Sequence, residues 1–335
     1  MSYKIDLLNI GLIIVSLIIA VMLPFELFLF SYAILGPLHY LTEINWLKDK
    51  QYFVQKNSKW IRVFLLFAIL VSIYPLYKII DFSLDNSFMQ GLTFALKNTS
   101  FLLLSGFLFA IGLILFKKIS HLIIMLAVSM LFSILLYYFL PTEAFFVGLF
   151  LPTIIHVYIF TGLFMLYGAS KSSSRAGYTG ALLLLLVPFV IAFIDIDPSS
   201  FSVSQETSNI YSSSGMIMVT ASITKLFGGL RDGQFIALSP IAIKAQIFIA
   251  FAYTYHYLNW FSKTSIIGWK NALTTRKTIY IALIWAAAVG LYLYDFYTGL
   301  IALYFLSILH VFFEFPLNAI TIKELFKFKR AKVVT

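Results

Sequence analysis

The stretch LFLFSYAILGPLHYLTEINWLKDK, residues 27–50, decides how the rest of the chain is read. Its apolar run from Leu27 to Leu38 has the composition of a helix that crosses a bilayer. The last turns, however, carry His39, Glu43 and Asn45 before the charged cluster at Lys48, Asp49 and Lys50. An ionisable side chain at membrane depth costs about 2.5–3.5 kcal/mol on insertion scales and points to function by default. A membrane span that ends on a buried acid and base is therefore both an architectural and a chemical signal.

The remainder of the 335 residues supports the membrane reading. The chain is 61% hydrophobic, 18% aromatic and only 11% charged, against about 25% charged residues in an average soluble protein. Its mean hydropathy is +0.94. Runs near the spanning length of roughly 20 residues occur at 6–23, 25–47, 61–81, 99–116, 119–140, 143–169, 178–195, 236–261, 278–296 and 299–318. The expected fold is all-α: a polytopic integral membrane helical bundle of about ten transmembrane helices. With both termini cytoplasmic, every basic residue except Lys78, Lys97, Lys225, Arg231 and Lys244 falls on the inner side, as the positive-inside rule requires. Asp81, Asp85, Glu143, Asp195, Asp197, Glu206, Asp232 and Asp295 fall outside or within a span. The net charge of +10 thus records topology, and no nucleic-acid partner is expected. The expected location is a bacterial inner membrane, with the first run retained as a span rather than removed as a signal peptide.

A single transmembrane domain, 1–335, accommodates these runs. Pro24–Glu26, Pro141–Glu143 and Tyr297–Gly299 read as tight outer turns between antiparallel neighbours. The inner segment 48–59 is polar and aromatic and suits the headgroup region. Residues 197–234 form a long outer connection, first serine-rich and polar, then amphipathic and too short to span; it reads as a re-entrant or interfacial cap, or as a surface loop. The tail 320–335 alternates basic and apolar residues and suits an anionic inner leaflet.

The chain has no cysteine and five histidines, which excludes disulfides, thiolate nucleophiles and cysteine-held metals. His121 follows Lys117–Lys118 at the edge of a span and needs no special account. His39, His156, His256 and His310 all lie on even-numbered spans, which run from outside to inside under the topology above. An early end to their helices at Gly168 and Pro316 would bring His156 and His310 to the level of the other two. Two histidines carry an acid four residues later, His39 with Glu43 and His310 with Glu314. Four residues turn a helix by about 400°, so each pair shares a face. Tyr253 and Asn259 flank His256 at three-residue offsets, and Thr153 precedes His156 by three. Imidazole nitrogen suits iron, copper, zinc and nickel, and added carboxylate favours a harder centre such as non-haem Fe2+.

The element GPLHYLTE, residues 36–43, resembles the Pro-His-Gly-x-x-Asp element of the Brp/Blh family of membrane β-carotene dioxygenases. That resemblance implies a polytopic fold with iron held by histidines from several spans and a carotenoid substrate cleaved with O2. On it, His39 matches a metal ligand and Glu43 the acid. Tyr40 stands in place of the family's glycine, glutamate replaces its aspartate, and no second closely spaced histidine pair occurs.

The residues therefore point to a membrane metalloenzyme. His39, His156, His256 and His310 are the candidate iron ligands. Glu43, Glu314, Asn259 and Tyr253 are the candidate catalytic groups, with the glutamates as ligands or as acceptors for ring N–H groups. The partners expected are the lipid bilayer, O2 and a lipophilic small molecule such as a carotenoid, a quinone or an acyl lipid. Alternatives stay open at this level: a proton- or cation-coupled transporter or channel using the same groups with Lys244, a haem b electron carrier, and a structural membrane protein. No P-loop, dinucleotide fingerprint or nucleophile elbow is present.

Overall fold

The computed structural model describes residues 2–54, 59–80 and 99–333; Lys56, Asp81, Asp85 and Lys97 lie outside them. Each of the ten predicted apolar runs is helical. We number the helices α1 (Ser2–Met22), α2 (Pro24–Asp49), α3 (Ile61–Ile80), α4 (Phe101–Leu115), α5 (Ile119–Phe139), α6 (Pro141–Ser172) and α7 (Arg175–Phe193). Two short helices follow, α8 (Gln205–Ser214) and α9 (Ile217–Leu226), and then α10 (Pro240–Ser262), α11 (Thr275–Tyr294) and α12 (Phe296–Val333). Seven of these (α1, α2, α5, α6, α7, α11 and α12) are long and apolar enough to cross a membrane, which marks a multi-pass membrane protein. No β-strand occurs among the described residues.

Single residues join three helix pairs: Leu23 between α1 and α2, Leu140 between α5 and α6, and Asp295 between α11 and α12. Proline opens α2 and α6 at the first helical position, where its missing N–H costs nothing. Asp295 accepts from the Thr298 N–H at 2.7 Å and caps α12. These caps explain why such abrupt turns are stable.

α10 and α12 organise the bundle. Around α10 pack α1, α2, α6, α7 and α9; around α12 pack α2, α3, α4, α6 and α11. Each centre has its own apolar core, one built on Phe251, Ile247 and Leu184, the other on Phe312, Phe109 and Phe64. α10 is buried on nearly every side from Ala242 to Trp260, and its polar and aromatic content keeps it out of the apolar seven. α5 and α11 behave oppositely: only 17% and 11% of their most apolar windows are buried, so their leucines and isoleucines face lipid.

The 197–234 connection folds into α8 and α9, which pack on α12 and α10 respectively. The Tyr211 hydroxyl donates to Phe25 O at 3.1 Å, and Gln246 Nε2 donates to that hydroxyl at 2.7 Å. This connection is tied to the bundle rather than being a free loop. The basic tail forms the last turns of α12.

Candidate metal centre

Two of the four histidine-bearing helices are locally re-registered. α2 contains a π-helical stretch at Ser31–Leu35, immediately before Gly36-Pro37, and α6 contains one at Leu151–Phe160, around Pro152 and His156. Proline supplies no N–H to the i–4 carbonyl, and a π insertion absorbs that fault by rotating the following face. Such insertions concentrate at functional sites. Here they deliver His39 and His156 toward α10 and α12.

Two sequence expectations fail at this point. Neither Gly168 nor Pro316 ends its helix: α6 continues to Ser172 and α12 runs through Pro316 to Val333. Proline is tolerated inside membrane helices because neighbouring groups re-satisfy the freed carbonyl. The common level of the histidines arises from packing and the π stretches instead.

All four histidines converge. His39 Nε2 lies 3.1 Å from His256 Nε2, and His156 Nε2 lies 3.0 Å from His310 Nε2. Ligand atoms of His39, His156 and His256 fall within 4.8 Å of one another, as do those of His39, Glu43 and His310. The rings are 1–7% exposed. A first-row ion binds imidazole at about 2.0–2.1 Å, so adjacent ligands lie about 2.9 Å apart in an octahedron and about 3.4 Å apart in a tetrahedron. Both imidazole pairs sit between those limits.

The glutamates complete the cluster. Glu43 Oε2 is 3.0 Å from His39 Nε2, and Glu314 Oε2 is 3.2 Å from His156 Nδ1. Neither contact has the direction of a hydrogen bond, and Glu43 Oε2 and both Glu314 oxygens are buried without a hydrogen-bond partner. His39 Nδ1 and His310 Nδ1 are likewise unpartnered. Two imidazoles can satisfy each other through one N–H···N contact, but three buried carboxylate oxygens are left without a hydrogen-bond partner, and an uncompensated buried charge costs several kcal/mol. One divalent cation would neutralise both acids while filling the nitrogen lone pairs. The residues present fit a metal ion.

Thr161 sets the state of one ligand. Its hydroxyl donates to Val157 O at 2.8 Å and lies 2.7 Å from His256 Nδ1. With the single hydroxyl proton used on Val157, Nδ1–H of His256 donates to Thr161 and Nε2 is left as a lone pair facing His39. Thr161 is a site residue that the sequence reading missed. Asn318 is one turn beyond Glu314, 1% exposed, with both side-chain polar atoms unpartnered.

The remaining predicted groups lie around the cluster rather than in it. Tyr253 packs against Phe28, Tyr32 and Tyr257. Asn259 donates to Asn9 Oδ1 at 2.7 Å and to the Tyr255 hydroxyl at 3.0 Å. Thr153 donates to Leu149 O at 2.6 Å, in its own helix. Lys244 donates to Ala192 O at 2.7 Å at the start of α10, far along the helix from His256. His121 is exposed beside Phe116.

Two cavities meet at the histidines. The first, about 350 Å³, is walled by Tyr32, Tyr40, Tyr253 and Tyr257 and floored by His156, His256 and His310. The second, about 430 Å³, is reached by His39, Glu43, His256 and Glu314 and includes Asp6, Lys171 and Lys263. Under the topology above, the first lies on the outer side and the second on the inner side. Comparison with protein-family models, with curated proteins and with solved structures gives no match for this chain, so the buried four-histidine, two-glutamate cluster itself carries the functional reading.

Proposed function

We propose that the chain is an integral-membrane metalloenzyme of about ten spans, with both termini cytoplasmic, in a bacterial inner membrane. His39, His156, His256 and His310 hold one non-haem iron, and the enzyme oxidises a lipophilic substrate (a carotenoid, a quinone or an acyl lipid). One observation carries this reading: four buried imidazoles at metal-ligand spacing beside two buried carboxylates. Bound there, iron supplies the means to activate O2. The protein's own residues do the rest. Thr161 fixes the tautomer of His256, Glu43 and Glu314 balance charge or ligate, and the tyrosine-walled cavity admits substrate to one face while excluding bulk water. The resemblance of GPLHYLTE to the carotenoid dioxygenase element agrees with His39 and Glu43 acting together.

The test is metal content and an absorption spectrum on detergent-purified protein, beside the His39→Ala/His310→Ala double variant. About one iron per chain without a Soret band, lost in a variant that keeps its helical circular dichroism, is the expected result. A folded wild type that takes up no metal overturns the reading, and a Soret band replaces it with a haem carrier.

A second reading has its own support, because cavities of opposite sides meet at one layer of titratable groups. That is also the layout of a proton or cation path. Ion flux in proteoliposomes, abolished by His256→Ala, would favour it over the enzyme.

A further inference from the structure

We propose that the outer cavity seats a neutral, oxygen-bearing ring, a quinone or quinol head group, against the face formed by His156, His256 and His310. The proposal rests on the reading that a lipophilic molecule is processed at this centre, and it names that molecule's class.

Charge is the first argument. Among the described residues that line this cavity there is no Asp, Glu, Lys or Arg. Apart from the ion proposed at its histidine floor, a phosphate headgroup or a carboxylate would meet no cationic side chain among the described lining, and an ammonium no anionic one. Most of the wall gives a charged head group no return for its desolvation, which favours an uncharged occupant.

The second argument is hydrogen bonding. Hydroxyls of Tyr32, Tyr40, Tyr253, Tyr257, Tyr304 and Ser307 belong to the side chains that surround the space. The Tyr40 and Tyr257 oxygens are 3.0 Å apart and occupy room left by Gly36. A Cβ at that position would stand 3.0 Å from the Tyr40 oxygen and 3.2 Å from that of Tyr257. A phenol both donates and accepts, so the wall can serve a quinone carbonyl and a quinol hydroxyl alike. A pure hydrocarbon such as a polyene would strip water from these hydroxyls and offer nothing back.

Shape is the third. Tyr40 stacks on the His310 ring at 4.3 Å with planes 22° apart, which makes a flat aromatic wall beside the ligand face. The volume of about 350 Å³ lies at the small end of ligand cavities, roughly 300–1,000 Å³, and suits a ring with its substituents. The seat brings the ring oxygens to the histidines and leaves an isoprenoid tail outside.

The experiment measures binding of decylubiquinone to full-length protein in detergent, both metal-stripped and iron-loaded, with decylbenzene as the oxygen-free comparator. The quinone is expected to bind both forms, and decylbenzene about tenfold more weakly for lack of hydrogen bonds. Tyr257→Phe should weaken the quinone about five- to tenfold and leave decylbenzene unchanged. Ser307→Leu, which fills the space, should weaken both. Equal affinity for the two ligands, or a folded Tyr257→Phe that binds the quinone as the wild type does, overturns the proposal. Quinone binding by a protein that takes up no metal overturns the metal centre and keeps the seat; metal uptake without quinone binding does the reverse.

Discussion

The outer cavity is walled by phenols and aliphatic side chains with no formal charge among its described lining, whereas the inner one is lined by Asp6, Glu43, Lys171, Lys263 and Glu314. His256 belongs to both. A single layer of imidazoles therefore separates a neutral chamber from a charged one. On the proposed function the difference would assign labour: molecules with little charge would approach from one side, and ions, protons and water from the other. It also explains the position of the two glutamates. Each follows its histidine by four residues, one turn closer to the charged end, where a carboxylate is least costly to keep.

The sharpest way to break this division is Glu314→Gln, which keeps shape and removes charge. Iron affinity by chelator competition should fall about 10–100-fold, the range for losing a group that supports a metal ligand, and quinone binding in the outer cavity should not change. A parallel loss of quinone affinity would show that the chambers are not independent. Thr161→Val comes next, releasing His256 Nδ1–H from its acceptor. We expect about a tenfold loss of iron affinity, with Thr161→Ser restoring it.

Gly36→Ala tests the outer wall alone. Its methyl group would displace the Tyr40–Tyr257 hydroxyl pair, lowering stability by about 1 kcal/mol and weakening quinone binding without removing metal. Thermal unfolding in detergent reads the first effect.

The smallest effect belongs to the inner rim. Burial lowers the pKa of Lys263, just past the end of α10, to about 8, with Asp6 opposing the shift. Above about 8 the folded state has lost a proton that the unfolded chain still holds up to its ordinary value near 10.4. Stability therefore rises with pH between these values and is lost as pH falls through the window. Melting temperature between pH 8 and 10 should climb more steeply in the wild type than in Lys263→Met, and parallel curves would show that the lysine does not sense the chamber.

Much of this was legible in the residues. Hydropathy placed ten apolar runs, each helical among the described residues and seven of them long and apolar enough to cross a membrane, since a lipid-facing helix such as α11 must advertise itself in composition. The i, i+4 rule placed Glu43 with His39 and Glu314 beside the cluster, because those helices present a single inward face there. At His256 the three-residue offsets bring Tyr253 to the first cavity and Asn259 to the second. α10 is enclosed on nearly all sides, so Tyr253 and Asn259, three residues either way, find separate partners on α2 and α1. Thr161 carries no sequence mark, because its role depends on a π stretch that no hydropathy pattern reveals. Prolines 37 and 152 were visible, but their consequence, a rotated face rather than a break, follows from packing.

The composition of α10 has a consequence for how the protein is made. A helix built to line two chambers is too polar and aromatic to join the apolar seven. Alone at the insertion machinery it would partition poorly into lipid, since each polar residue near the centre adds cost. It must enter the bilayer as a passenger, against α1, α2, α6 and α7, which precede it in synthesis and later enclose it. The helix that carries His256 is thus the one whose arrival depends on the others, and the histidine layer closes only after most of the bundle already exists.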